Sequence, residues 1–320
     1  MTQYHQTPSP PRRVDCVVVF LCMCMILICG GAVGRQGRVL SQRMACRANL
    51  AVLGKSMAMY CSEYHGRFPH TGAYINDYTN SLNNWTSLDR DSAFSSNGNG
   101  HGKTTISSHL YLLVKTMEVS PKTFLCYGEP NVTEFTLVDH VLTVEDALLT
   151  FSDVWDFGDA NTMEHCSYAY HHPFNASYAL TTDSNPQLAV AADRNPWCQD
   201  KEARGPAGLG FGNFMPDVPE IGLLMGMPNQ GKVGNSDAHD QEGQNVLFVD
   251  GHISFETRSY CAVDQDNIYT KAFRFANPQS INRYVGCQLS PENFGHTIPS
   301  NALDSLLLND IKDFTPLPSR

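Results

Sequence analysis

The sequence predicts an α+β fold in which a long N-terminal helix, one half transmembrane and the other exposed and amphipathic, packs on a mainly antiparallel sheet. Three observations carry that prediction. Residues 16–34 (CVVVFLCMCMILICGGAVG) hold no charge across 19 positions. Apolar residues at helical spacing then continue to about Tyr64, with no proline before Pro69. Beyond that point short β-type runs are separated by glycine, proline and asparagine.

The elements follow in chain order. Residues 1–13 form a basic tail ending in Arg12-Arg13, which the sequence places in the cytoplasm. Residues 14–34 read as a transmembrane helix, because 19 residues at about 1.5 Å each just cross a hydrocarbon layer of about 30 Å. No face of this run is polar, which excludes an ordinary half-buried helix. Small residues at Ala32-Val33-Gly34 also allow a secretion signal cut before Arg35. A lipoprotein signal is disfavoured, since Ile28 rather than a small residue precedes Cys29.

Charge sets the expected side of the membrane. Arg35, Arg38, Arg43 and Arg47 follow the span and count against export. Residues 1–47 hold six arginines and one aspartate, which leaves 16 basic against 31 acidic residues in the remainder. Such an acidic remainder suits an exported domain and excludes nucleic acid as a partner. The expected location is therefore the inner membrane, single-pass, with the C-terminal domain on the extracytoplasmic, periplasmic side.

Residues 35–66 read as a helical stalk, with Leu40, Met44, Leu50, Leu53, Met57, Tyr60 and Tyr64 at helical spacing and His65-Gly66 as its end. Residues 67–320 form the extracytoplasmic globular domain with long loops. Residues 76–102 are rich in Asn, Ser, Gly and Asp and read as loop, and 205–234 as an irregular excursion. β-type runs are expected at 133–142, 167–170, 188–192, 245–249 and 252–256. Seven of the 11 cysteines lie outside the apolar span, and none of those seven forms a C-x-x-C pair.

The segment AHDQEGQNVLFVDGHISFE, residues 238–256, crowds two histidines and four carboxylates around one apolar run. Asp250-Gly251 is read as the two-residue type I′ turn of a hairpin, because both central positions of that turn need positive φ. Val246, Phe248, Ile253 and Phe255 would then form the apolar set. The motif and hairpin residues are His239, Gly243, Asn245, Asp250, Gly251 and His252. No metal is predicted; His239, Asp240 and His252 are the candidates should one bind. His171-His172 cannot easily share an ion, because neighbours on an extended segment point in opposite directions. The stretch 97–105 imitates a phosphate loop, yet Asn97 stands where its first glycine belongs. No Gly-x-Ser-x-Gly elbow or His-Glu-x-x-His helix occurs.

Arg43-Met44-Ala45-Cys46-Arg47-Ala48-Asn49-Leu50, with Leu53-Gly54-Lys55, Tyr60 and Gly66-Arg67-Phe68-Pro69, resembles the R-x-x-C-x-x-N-L-x-x-L-G…Y…G-x-F-P segment of bacterial pilin-like proteins, a pseudopilin-like, type II secretion-related family of unknown function. His239, with ten residues before Asp250-Gly251, is similar to the His-x(9–10)-Asp-Gly motif of the same group. The resemblance implies a pilin-like fold, partners among other pilin-like subunits through the N-terminal helix, and no catalytic residues. Asp15 would take the acidic position of a processed pilin only if cleavage followed Pro10. The expected function is thus a membrane-anchored, pseudopilin-like structural or assembly protein of the cell envelope, without catalytic activity or cofactor. The alternative is a secreted or anchored binding or hydrolytic domain using a divalent metal near His239, Asp250 and His252.

Overall fold

The protein is seen in a computed structural model, which describes residues 13–72, 75–95, 101–129, 131–140, 148–174, 177–198, 234–274, 284–287 and 298–311. Helix α1 runs from Arg13 to Glu63 without interruption. It ends where the sequence places the stop: His65 and Gly66 adopt positive φ, and the Gly66 N–H donates back to the Cys61 carbonyl at 2.7 Å, closing the last turn. The chain divides into two compact units, Met1–Gln42 and Arg43–Arg320.

In the first unit the expected transmembrane half is overturned. Among the described residues no helix is long and apolar enough to cross a membrane. The inner-membrane location and the pilin, pseudopilin, type II secretion and periplasmic assignments that hung on that span are corrected with it. The architecture that stands is a mainly antiparallel five-stranded sheet with few helices. Asp15 falls within α1, but its side chain and the tail 1–12 lie outside the described residues.

In the second unit, the end of α1 is held by a stripe at helical spacing: Cys46, Leu50, Leu53, Met57 and Tyr60 are all buried. The predicted stripe was too wide, since Met44 and Tyr64 in this unit are exposed. Against the stripe lies a sheet in the order β6-β5-β4-β3-β9, with every pairing antiparallel. Its strands are β3 (Tyr168–His171), β4 (Ala189–Asp193), β5 (Gln244–Phe248), β6 (Ile253–Glu256) and β9 (Leu307–Leu308). Strand alternation divides the core. Tyr168, Tyr170, Val190, Ala191, Leu247 and Leu308 pack on the α1 side, whereas Ala169, Ala189, Ala192, Val246, Phe248 and Leu307 pack with Ile268 and Tyr269 on the other. Both faces are covered, which explains why β3, β4 and β5 are buried throughout.

Among the described residues, four further strands and two α-helices belong to this unit. β1 (Ile75–Tyr78) pairs in parallel with β2 (His101–Thr104), and α2 (Arg90–Ala93) lies between them in sequence, where loop was expected. α3 (Ile106–Met117) is capped by Thr105 and contributes Leu110, Tyr111 and Leu113 to the core. β7 (Lys271–Arg274) pairs with β8 (Tyr284–Cys287). The strand expected at 133–142 is not formed over its described part, where Leu137–His140 makes a 3-10 turn. Most of the excursion expected at 205–234 lies outside the described residues.

The hairpin is present, with a different turn. Only Gly251 has positive φ, the Gly251 N–H donates to the Phe248 carbonyl at 2.9 Å, and the Phe248 N–H donates to the His252 carbonyl at 3.1 Å. That is a three-residue loop, a type I turn followed by a bulge at Gly251, rather than the two-residue type I′ turn expected. The extra residue shifts the register by one. Leu247 pairs with Ile253 and Asn245 with Phe255, so Ile253 and Phe255 share the α1 side with Leu247 instead of joining Val246 and Phe248.

A candidate functional site beneath helix α1

Strand alternation also decides which polar groups meet. Asp193 ends β4 two residues after Ala191, and Asn245 precedes Leu247 by two in β5; both therefore face α1. Cys46 arrives from α1, and Cys126 from the segment that follows a 3-10 turn at Pro121–Phe124. His239 comes from the 3-10 turn Asp237–His239, whose start is capped by the Ser236 side chain accepting from the Ala238 N–H. Gly128 permits the approach of this turn: a Cβ there would lie 1.7 Å from the Ala238 carbonyl oxygen and 3.2 Å from His239 Nδ1.

The cluster is closed to solvent and densely connected. Cys46 and Cys126 form a disulfide with Cα atoms 5.1 Å apart, and both residues are fully buried. His239 Nε2 lies 3.0 Å from Asp193 Oδ2, 3.2 Å from Asn245 Nδ2 and 3.8 Å from Cys126 Sγ. Asp193 Oδ2 also accepts from the Asn245 backbone N–H at 2.6 Å and from its side-chain amide at 3.0 Å. The groups are nonetheless incompletely satisfied, for Asp193 Oδ1, His239 Nδ1 and Asn245 Oδ1 are buried without a hydrogen-bond partner. Buried polar atoms of this kind are uncommon and call for an explanation. Cys46 Sγ, Cys126 Sγ, an Asp193 oxygen and a His239 nitrogen all lie within 4.8 Å of one another.

No family model, curated protein or solved structure matches the chain. The site must therefore be understood from its own chemistry.

The structure separates the residues that the sequence grouped around the hairpin. His239 is buried in the cluster, with Asn245 beside it. Asp250 and His252 are instead exposed at the turn, where Asp250 Oδ1 accepts from the His252 backbone N–H at 3.0 Å and the His252 ring stacks on Phe248 at 4.3 Å. Burial, the largest single influence, raises the Asp250 carboxyl, but the contributions of His252 together outweigh it and hold the group below its ordinary value. Asp240 ends the 3-10 turn with positive φ and is exposed, and Gly243 opens the approach to β5. Neither Asp240 nor His252 belongs to the metal-competent group. Sequence reasoning missed Cys46, Cys126 and Asp193 as site residues; the one available signal was Asp193 directly after the apolar run 188–192.

A second recess, of about 260 Å³, is lined by Phe68, His70, Tyr170, His171, His172 and Leu180 among others. His70 Nδ1 accepts from the Gly72 N–H and its Nε2 donates to the Pro173 carbonyl, both at 2.8 Å, which fixes a neutral ring. Burial lowers His70 and His171 to about 4 and His172 to about 3. Burial likewise pushes the Cys61 and Cys166 thiols up to about 11 and about 12, away from nucleophilic chemistry.

Proposed function

We propose that the chain is a structural or assembly protein without catalytic activity, which associates with further copies of itself through the apolar segment of α1. One observation carries this reading. Val18, Phe20, Leu21, Met23 and Met25 are each more than half exposed, and Cys22 is exposed with them. Successive residues of a helix point about 100° apart, so the run 20–23 presents apolar groups in every direction. A contiguous exposed apolar surface of this kind marks an interaction site. Gly30 and Gly34 follow in the same helix at a spacing of four, which allows two helix backbones to approach closely.

The second unit supports a role without turnover. Asp193, His239 and the bonded Cys46 and Cys126 are buried, where a substrate cannot reach them. Sedimentation velocity of the full chain over a range of concentrations tests the proposal. The expected result is concentration-dependent association that is abolished by Leu21→Lys with Met25→Lys. A wild-type chain that stays monomeric at all concentrations would remove the reading.

A further inference from the structure

We infer that Cys46, Cys126, Asp193 and His239 form a binding site for a thiophilic divalent metal ion, zinc by preference, when the Cys46–Cys126 disulfide is reduced. Two cysteines, one histidine and one carboxylate are a donor set suited to tetrahedral zinc. Tetrahedral bonds of about 2.0–2.3 Å place ligand atoms roughly 3.3–3.8 Å apart. His239 Nε2 already lies 3.0 Å from Asp193 Oδ2 and 3.8 Å from Cys126 Sγ. Opening the disulfide moves the two sulfurs apart, towards the spacing that two thiolates on one ion require.

A second, independent observation points to a ligand. Asp193 Oδ1, His239 Nδ1 and Asn245 Oδ1 are buried and lack hydrogen-bond partners. The Asp193 carboxylate is satisfied on one oxygen only, by Asn245 and His239. A divalent ion held among the Cys46 and Cys126 sulfurs, an Asp193 oxygen and a His239 ring nitrogen, which lie within 4.8 Å of one another, would offset the buried carboxylate. Asn245, donating to Asp193 Oδ2, would then act as a positioning residue that orients a ligand rather than as a ligand itself.

The two states exchange with balanced chemistry. A phosphine and one water convert the disulfide to two thiols and phosphine oxide. Binding of Zn²⁺ then releases the two thiol protons as the Zn–S bonds form. In the reverse direction a small-molecule disulfide accepts two electrons and two protons to become two thiols, the Cys46–Cys126 bond re-forms and Zn²⁺ leaves. Either state joins α1 to the segment after α3, so the same seam is closed by a covalent bond in oxidising surroundings and by a metal ion in reducing ones.

Cobalt(II) serves as the probe, since its absorption reports tetrahedral thiolate ligation. The full chain is unfolded and reduced with a phosphine, then refolded with increasing cobalt(II). The expected result is a thiolate-to-cobalt band that saturates at one ion per chain and is bleached by one equivalent of zinc. The oxidised chain and Cys46→Ser should show no such band, and His239→Ala should bind roughly 100-fold more weakly or worse, with Asn245→Ala weakened about 10–100-fold. Circular dichroism verifies the fold of each variant. If the variants fail to fold, the comparison of oxidised with reduced wild-type chain decides alone, because the buried thiols of Cys61 and Cys166 are free in both. No band in the reduced chain, an equal band in the oxidised chain, or full binding by a folded His239→Ala chain would each overturn the inference.

Discussion

Removing the Cys46–Cys126 cross-link should destabilise the fold by an amount that chain entropy sets. The bond closes a loop with a sequence separation of 80. A cross-link of that length removes roughly 4.5 kcal/mol of entropy from the unfolded chain at 25 °C in the simple loop-closure treatment. The perturbation of choice is Cys46→Ala with Cys126→Ala, because serine would also bury two hydroxyls at fully enclosed positions. Part of the seam survives: the Asn49 amide still donates to the Leu125 carbonyl at 2.8 Å, and the Tyr168 hydroxyl to the Cys46 carbonyl at 3.3 Å. These bonds favour the folded state in both chains and do not offset the entropy regained by the unfolded one. Urea unfolding of the oxidised wild-type and double-alanine chains, without metal, should show a loss of about 3–5 kcal/mol, and a melting temperature lower by about 2 °C for each kcal/mol. A loss below about 1 kcal/mol would refute the reasoning, because it would mean that residues 46 and 126 stay close in the unfolded chain.

Three further outcomes follow from the same structure. Asp193→Ala strips His239 Nε2 and the Asn245 N–H of their buried acceptor, and should cost about 3–5 kcal/mol in chemical denaturation; a cost under 1 kcal/mol would mean that the pair is hydrated. Lowering the pH should unfold the second unit: His171 is neutral in the fold down to about 4 but takes a proton below 6.5 when unfolded, so its contribution, complete above pH 6.5, is lost as pH falls to about 4 and amounts to roughly 3 kcal/mol. Stability that stays flat across this window, followed by tryptophan fluorescence, would contradict it. Gly128→Ala should fail to fold or lose several kcal/mol, since its Cβ would meet a backbone oxygen; Gly251→Ala has open space around it and should lose only about 1 kcal/mol for its positive φ, a contrast readable from thermal melts of the two variants.

Local pattern was legible where one period ruled. The helix end at His65-Gly66 and the strands near 167–170, 188–192, 245–249 and 252–256 follow from spacing and turn chemistry alone. The hairpin shows where such reading stops. Asp250-Gly251 announces a turn, but the same dipeptide serves a two-residue turn and a three-residue loop with a bulge, and one residue of difference exchanged the faces of Ile253 and Phe255. Helix α3 was invisible for another reason. ISSHLYLLVKTM is buried over most of its turns, including its serines and histidine, so no clean polar face marked its period.

The cluster beneath α1 was hidden because its geometry is created by topology. Cys46, Cys126, Asp193 and His239 come from the N-terminal helix, the segment after α3, the end of β4 and a turn before β5, and nothing in their spacing resembles a local metal motif. The sequence drew attention to His239 through its neighbours Asp240 and Glu242, yet the groups that reach its ring come from a neighbouring strand and from across the helix–sheet seam. The β4–β5 pairing supplies the missing rule. Once β4 and β5 are adjacent and antiparallel, Asp193 and Asn245 must share a face, and that face is the one α1 covers. A carboxylate forced under a helix needs a charge or several donors; here it receives Asn245 and His239 on one oxygen and nothing on the other. That residual demand, together with two sulfurs beside the same histidine, distinguishes a place built to hold an ion from a polar accident in a core.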